Sequence, residues 1–290
     1  MKTFCSTTMI VLILIGSFGI INAQNVKEKA YLDNTEQFSI SSKYVQDENY
    51  RIQVGLPKNY NSSQKSYPVV YVLDGDVVFG MTKEIAGLLM LANEIKDIVV
   101  VGISYGKGID AWLDKRQRDY LPDKDTLQGK YFPYSGGTDN FIKFLQYELF
   151  PAINKNYRTI PDSSTLSGES GAGLLGTLIL FTHPELFKNY IIIEPSLWWN
   201  HWNNKSMLNL ESEYFSNHKE LNKTVYIVYG IEGDIGHAER MERTANELIQ
   251  RLQSRNYQGL KLGTRIFDGE THYSIYSTAF TNGLKAIFKP

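Results

Sequence analysis

Cysteine is nearly missing from this 290-residue chain: Cys5 is the only one. A lone thiol excludes an intrachain disulfide framework, so the fold has to be held by its core. A surplus of one charge is missing too. Thirty Lys and Arg stand against 31 Asp and Glu, a formal net charge of −1, which removes the electrostatic case for nucleic acid or an anionic membrane surface as partner. Strongly apolar sequence without a turn signal is concentrated at the N-terminus, in Met9–Ile15, which is short for a membrane span and is followed at once by Gly16 and Gly19. With Lys2 ahead of that run and Ile21-Asn-Ala23 before the polar Gln24, residues 1–23 read as a secretory signal peptide cut after Ala23. Cys5 precedes the apolar run, the wrong side for a lipid-attachment cysteine, so no lipid anchor is expected and the mature chain carries no thiol. The expectation is an exported protein, periplasmic or secreted, with no membrane insertion after cleavage. Internal repeats, low-complexity tracts and linkers are also missing, so residues 24–290 read as one domain, long enough to bury roughly three quarters of its unfolded surface.

What the chain does have is aromatic residues, 19 Tyr and 4 Trp, several of them in segments that read as loops, which hints at an aromatic-lined pocket. It also has short, continuous apolar strands alternating with helical patterns. Gln37–Tyr44 and Asn49–Leu56 alternate as an antiparallel edge pair would. Tyr67–Gly75, Asp97–Ile103, Ser164–Ser167, Tyr190–Glu194, Val225–Tyr229 and Lys261–Phe267 read as buried strands. Between them lie helical patterns over Phe79–Asn93 (stripe Met81, Ile85, Leu88, Leu89, Ala92), Asn140–Asn156 (stripe Phe141, Leu145, Leu149, Ile153, kinked at Pro151), the segment from Ala172, Ala238–Arg255 and Ser274–Phe288. Tyr105–Gly137 and Pro195–Lys223 read as two long irregular insertions. The alternation predicts an α/β fold, a mostly parallel sheet covered by helices on both faces with an antiparallel N-terminal edge.

The stretch Thr165-Leu-Ser-Gly-Glu-Ser-Gly-Ala-Gly173 organises the rest. It places Ser170 on a tight strand-to-helix turn, the nucleophile elbow of an α/β-hydrolase, with Gly168 and Ala172 as the small residues that a strained crossing demands. Ligands of open α/β sheets gather at the carboxyl ends of the strands. That rule selects Ser170, then Asp234 or Glu232 after the Val225 strand, then His272 after the Lys261 strand, in the chain order the fold imposes. His272 is the expected general base; His183 reads as a helix-end residue, His201 and His218 as surface, and His237 as the competitor. For the acid Asp234 leads, Glu232 is the alternative, and a serine–histidine pair without a protein acid stays open; either carboxylate is also placed to cap the Ala238 helix. Gly171 N–H and the turn Asp74-Gly75-Asp76 are the expected oxyanion donors, with an ordinary strand-ending turn as the plain alternative for the latter. Trp198 and Trp199 are placed either to stack on aromatic substrate rings or to form the core of the insertion. Arg116 is the candidate for an acidic or catecholate substrate, and Arg118 beside Asp119 reads as a structural ion pair.

These residues, with Tyr71-Val-Leu-Asp-Gly75, Arg116-Gln-Arg-Asp-Tyr-Leu-Pro122, Asn156-Tyr-Arg158, Thr182-His-Pro-Glu-Leu-Phe187 and Glu194-Pro-Ser-Leu-Trp-Trp-Asn200, resemble the putative-esterase family of α/β-hydrolases. That group includes enterochelin (catecholate siderophore) esterases, esterase D, feruloyl esterases and mycolyltransferases, and the resemblance is nearest to the small periplasmic siderophore-esterase type. It implies carboxylic-ester hydrolysis of a small molecule through an acyl-enzyme, Ser170 and His272 as the catalytic pair, and no metal or organic cofactor. Ala172 stands where glycine is usual and Glu169 where histidine is common, which leaves substrate class open among catecholate, aromatic plant and simple acyl esters. An acyltransferase using the same acyl-enzyme and a non-catalytic binding protein of this fold are the alternatives.

Overall fold

Eight strands form one sheet in the order β1-β2-β4-β3-β5-β6-β7-β8 in this computed structural model, which describes residues 31–124, 132–199, 206–231 and 238–290, the side chains of the last segment from 241 onward. The signal-peptide reading of residues 1–23, Cys5, His201, Glu232, Asp234 and His237 lie outside the described residues. The strands are β1 (Thr35–Ser41), β2 (Asn49–Gly55), β3 (Val69–Val72), β4 (Val99–Ser104), β5 (Thr165–Glu169), β6 (Asn189–Ile193), β7 (Thr224–Ile231) and β8 (Lys261–Asp268). β1 pairs antiparallel with β2 and β2 antiparallel with β4, and every other pairing is parallel.

The central strands read as unbroken apolar runs because both faces are covered. Val70, Val72, Val100, Ile191, Ile193 and Val228 face α1 (Gly75–Leu91) and α8 (Ile275–Ile287). Their neighbours one position along, such as Tyr71, Val99, Val101, Tyr190, Ile192 and Ile227, face the larger core on the opposite side. There the sheet meets α3 (Thr138–Phe144), α4 (Phe150–Asn156), α5 (Gly171–Thr182), α6 (Met207–Asn217) and α7 (Ala238–Arg255). Asp33–Pro290 forms one unit by its internal contacts. Among the described residues no helix is long and apolar enough to cross a membrane.

Three local expectations need correction. Tyr105–Gly137 is no simple loop, because Ile109–Tyr120 is a helix, α2. It shows no apolar stripe. Its fully buried Asp119 instead accepts hydrogen bonds from the hydroxyls of Tyr50 (2.7 Å) and Tyr105 (3.0 Å) and pairs with Arg118 at 2.7 Å. The second insertion likewise holds α6, whose buried Glu211 meets Arg255 of α7 at 3.3 Å. The stripe of α1 is rotated from the one expected: Met81 and Leu88 are exposed, whereas Val78, Phe79, Thr82, Ala86 and Leu89 point inward. This helix is apolar almost all round, so periodicity alone did not single out its buried face.

The kink expected at Pro151 takes a different form. A π-helical segment, Leu145–Leu149, joins α3 to α4 without a break, and Pro151 follows directly as the second residue of α4. The stripe Phe141, Leu145, Leu149 and Ile153 is fully buried, as the spacing predicts.

Candidate active site

The elbow is built as the small residues dictate. Ser170 joins β5 to α5 at φ 60° and ψ −120°, a conformation that side chains rarely adopt. A Cβ on Gly168 would stand 2.6 Å from the Ala172 carbonyl oxygen and 2.9 Å from the Ala172 Cβ, so no other residue fits at 168. The missing Cβ at 168 leaves room for the Ala172 methyl, and Gly173 relieves a separate approach: a Cβ there would lie 3.0 Å from the Ile193 carbonyl oxygen. The Ser170 N–H donates to Ile193 O (3.0 Å), Ser196 N–H donates to Ser170 O (3.0 Å), and the two serine hydroxyls are 3.3 Å apart. Ser170 therefore opens a helix N-terminus, where the dipole favours a developing negative charge.

His272 lies in the loop after β8, braced by Thr271 N–H donating to Ser274 Oγ (2.9 Å). Its Nδ1 stands 3.4 Å from Glu194 Oε2. Glu194 directly follows β6 at φ 42° and is buried, and its Oε1 accepts from the N–H of Gly230. Gly230 is required for a further reason: a Cβ there would stand 2.7 Å from the Glu270 carbonyl oxygen, in the loop that carries His272. The sequence reading missed Glu194 as the histidine's partner. The signal was present, since a charged residue at the carboxyl end of an otherwise apolar parallel strand sits where ligands gather. His183 bonds Thr182 Oγ1 at 2.9 Å where α5 ends, and His218 stacks on Tyr214 at 4.5 Å, both in accord with non-catalytic readings.

Arg116 reaches the site from α2. Its Nε lies 2.9 Å from Asp74 Oδ1 and its Nη2 3.0 Å from Oδ2, a two-point fork of the kind a guanidinium makes. Trp112 Nε1 donates to the same carboxylate at 2.8 Å, and the guanidinium lies near the rings of Trp112 (5.1 Å) and Tyr120 (5.4 Å). Burial opposes the charge on Arg116, but Asp74 outweighs it and holds the guanidinium more firmly protonated than in water. Nη1 and Nη2 each lie 3.6 Å from the point where a Cβ on Gly171 would stand. Arg118, by contrast, is spent on Asp119 and Glu48, as a structural pair.

Gly75 and Asp76 begin α1 and are not among the residues lining the cavity above Ser170. A Cβ on Gly75 would lie 2.5 Å from Ser104 Oγ, and the Asp76 carboxylate accepts from the N–H groups of Tyr105 (2.6 Å) and Gly106 (2.7 Å). Asp76 thus pins the loop after β4.

A cavity of about 680 Å³ brings Ser170, Gly171, Glu194, Ser196, His272 and Arg116 together. Its walls are largely apolar and aromatic, with Leu113, Tyr120, Leu121, Phe132, Trp198, Trp199, Met241 and Tyr273. Trp199 is buried and packs edge-to-face on Phe132 at 5.1 Å, while Trp198 is less buried and 6.2 Å from it, and both reach the cavity. Among the described residues no cluster of His, Cys, Asp or Glu is placed to hold a metal ion.

Comparison with known proteins agrees with this geometry. The family described as "Putative esterase" matches residues 42–287. The ferri-bacillibactin esterase BesA of Bacillus subtilis (strain 168) is 30% identical over 236 residues, covering 77% of this chain and 80% of that one. The siderophore triacetylfusarinine C esterase of Aspergillus fumigatus is 27% identical over 288 residues, covering 89% of this chain and 94% of that one. Among solved structures, the BES protein from Bacillus cereus superposes with a TM-score of 0.80 at 31% identity, over 93% of this chain and 100% of that one. The α/β-hydrolase architecture, the nucleophile elbow and these likenesses agree, and the chain belongs to the putative esterase family as a serine-type carboxylic-ester hydrolase.

Proposed function

We propose that this esterase cleaves the ester bonds of siderophores, with Ser170 as nucleophile, His272 as base and Glu194 orienting the imidazole. The observation that carries the reading is the convergence, in one aromatic-walled cavity, of a serine on a strained elbow with a histidine whose Nδ1 faces a buried carboxylate. The relatives' names supply the substrate class: two of them are siderophore esterases by name. The walls suit flat acyl groups, because aromatic rings bury large area and stack.

In the reaction Ser170 Oγ adds to the ester carbonyl while its proton passes to His272 Nε2. Negative charge builds on the carbonyl oxygen, where the Gly171 N–H, the α5 dipole and the Arg116 guanidinium oppose it. The C–O bond to the leaving alcohol then breaks as His272 returns the proton to it. Water, deprotonated by the same imidazole, attacks the acyl-serine and releases the acid with Ser170 restored. Glu194 accepts Nδ1–H throughout, so Nε2 remains the basic nitrogen. Tyr273 beside the His272 ring at 5.5 Å, and 90% exposed, marks the mouth. Residues 1–23 fit an export signal, which would deliver the enzyme to the compartment where imported or secreted siderophores pass.

The test is turnover on a tris-catecholate lactone, a hydroxamate siderophore ester, a feruloyl ester and an acetyl ester, with Ser170→Ala as control. The siderophore esters should lead, and Ser170→Ala should lower kcat by roughly 10⁴–10⁶ while folding normally. A variant retaining a tenth of the activity refutes the nucleophile. Preference for the acetyl ester refutes the substrate class.

A further inference from the structure

The residue before the nucleophile, Glu169, is a half-buried acid that the catalytic steps above do not use. Glu169 ends β5 on the same face as Ser167, the face covered by α1 and α8. In the sheet register it pairs with Ile193, the residue before Glu194. On the other side Val72 pairs with Ser167, so two residues further along Asp74 and Glu169 stand at the ends of adjacent strands. Asp74, Glu169 and Glu194 therefore stand at or just past the ends of three adjacent strands around Ser170, and the charges of Asp74 and Glu194 both act on Glu169. The one described cation that acts on Glu169 is Arg116, and its fork is committed to Asp74. Glu169 Oε1 is shut off from solvent and makes no hydrogen bond. Tyr276 of α8, whose hydroxyl is held neutral by burial and then by the charge of Glu169, and the buried Ser167 lie on this same face.

A carboxylate in that position would feel two others and share a guanidinium already engaged, with one of its oxygens shut off from water, a costly arrangement. A neutral carboxyl avoids the cost. Resting on the reading of Ser170 and Arg116 given above, we infer that Glu169 is a positioning residue kept protonated beneath the nucleophile, so that the charge of Arg116 stays on Asp74 and the oxyanion instead of being drawn down to a third carboxylate.

Burial, reinforced by Asp74 and Glu194 against the weaker opposing effect of Arg116, pushes the Glu169 carboxyl up to about 8. The sign follows. Below that value Glu169 is neutral and the site is intact; above it a proton leaves, and the new carboxylate competes with Asp74 and the oxyanion for one guanidinium. Activity should therefore fall on the alkaline side through kcat, while KM for an uncharged ester stays flat.

The experiment is kcat and KM for an aryl ester from pH 6 to 9.5, background hydrolysis subtracted, in the unaltered protein and in Glu169→Gln, whose amide has nearly the same shape and no proton to lose. One titration near 8 predicts about a tenfold fall in kcat between pH 7 and 9 in the unaltered protein. Glu169→Gln should hold its pH 9 to pH 7 ratio within about twofold of unity. In parallel, the protein labelled with ¹³C at the glutamate carboxyl should show one signal titrating near pH 8, missing from Glu169→Gln. The carboxyl signal needs no activity and no variant fold, so it separates this inference from the nucleophile assignment, which Ser170→Ala tests alone. The same alkaline fall in both proteins, or no glutamate titrating between about pH 7 and 9, overturns the inference.

Discussion

Replacing Glu194 by glutamine tests the least expected part of the site. The carboxylate serves two donors at once, with Oε1 accepting from Gly230 N–H and Oε2 standing 3.4 Å from His272 Nδ1. An amide offers only one acceptor. If its oxygen keeps Gly230, its NH₂ faces Nδ1, which must then accept, and the ring proton moves to Nε2, the nitrogen that has to take the proton of Ser170. If its oxygen turns to Nδ1, the buried N–H of Gly230 loses its acceptor at a cost of about 1–3 kcal/mol in stability. The exchange of carboxylate for amide in a chymotrypsin-type triad lowers kcat about 10⁴-fold. Here the contact is longer than the 2.7–2.9 Å of a strong charge-assisted bond, and the His272 side chain is about a quarter exposed, so water offers it a substitute. We therefore expect a loss of about 10²–10³ in kcat, or roughly 2.7–4 kcal/mol of transition-state stabilisation, with KM within about threefold. The assay is steady-state hydrolysis of an aryl ester beside a melting curve, and Asp234→Asn in the same background should cost less than about tenfold. More than a tenth of the activity left in folded Glu194→Gln refutes the reasoning. A hundredfold loss in Asp234→Asn moves the role to residue 234, and near-full activity in both points to a serine–histidine pair without a protein acid.

The difference between Glu194 and Asp234 shows where sequence reasoning worked and where it stopped. The placement of Ser170 and His272 about one cavity was legible because the signals are local: small residues at 168, 172 and 173 that the crossing demands, and positions just after apolar strands. The central strands were legible for the same reason, being apolar on both faces. The segments that escaped were those whose burial is carried by charge. Helix α2 is anchored by Asp119 and α6 by Glu211, each fully buried and each paired with arginine, and hydropathy scores such residues as surface. Glu194 escaped in the same way, as a buried carboxylate whose partners, Gly230 and His272, lie 36 and 78 positions away. Arg116 and Arg118 were told apart correctly only in part. Both are held in carboxylate forks, and only the approach to Gly171 separates Arg116 from a purely structural role.

Two further expectations follow from that geometry. Arg116→Lys keeps a charge but cannot make the two-point fork on Asp74, so kcat should fall about ten- to a hundredfold with a smaller change in KM; equal kcat would remove Arg116 from the oxyanion site. The other concerns strain. Within two residues of their ends, three adjacent strands, β3, β5 and β6, lead into residues with positive φ that are not glycine: Asp74 at 57°, Ser170 at 60° and Glu194 at 42°. A chain selected for stability alone would place glycine there, so each side chain is held at a cost of order 1–3 kcal/mol. Ser170 is the clearest case, since ψ −120° takes it outside even the left-handed helical region that Asp74, at ψ 35°, occupies. Removing the hydroxyl and removing the Cβ should therefore have opposite effects on stability. Ser170→Ala keeps the strained Cβ. Ser170→Gly releases it, offset by about 0.5–1 kcal/mol for the greater freedom of glycine in the unfolded chain. The net expectation is Ser170→Gly more stable than Ser170→Ala by about 1 kcal/mol, or roughly 2–4 °C in Tm for a domain of this size, with both inactive. Calorimetry of the two variants at one pH decides it. A glycine variant that melts at or below the alanine variant would mean that the elbow is not strained at its Cβ, and that the serine is placed there by the chemistry without the fold resisting it.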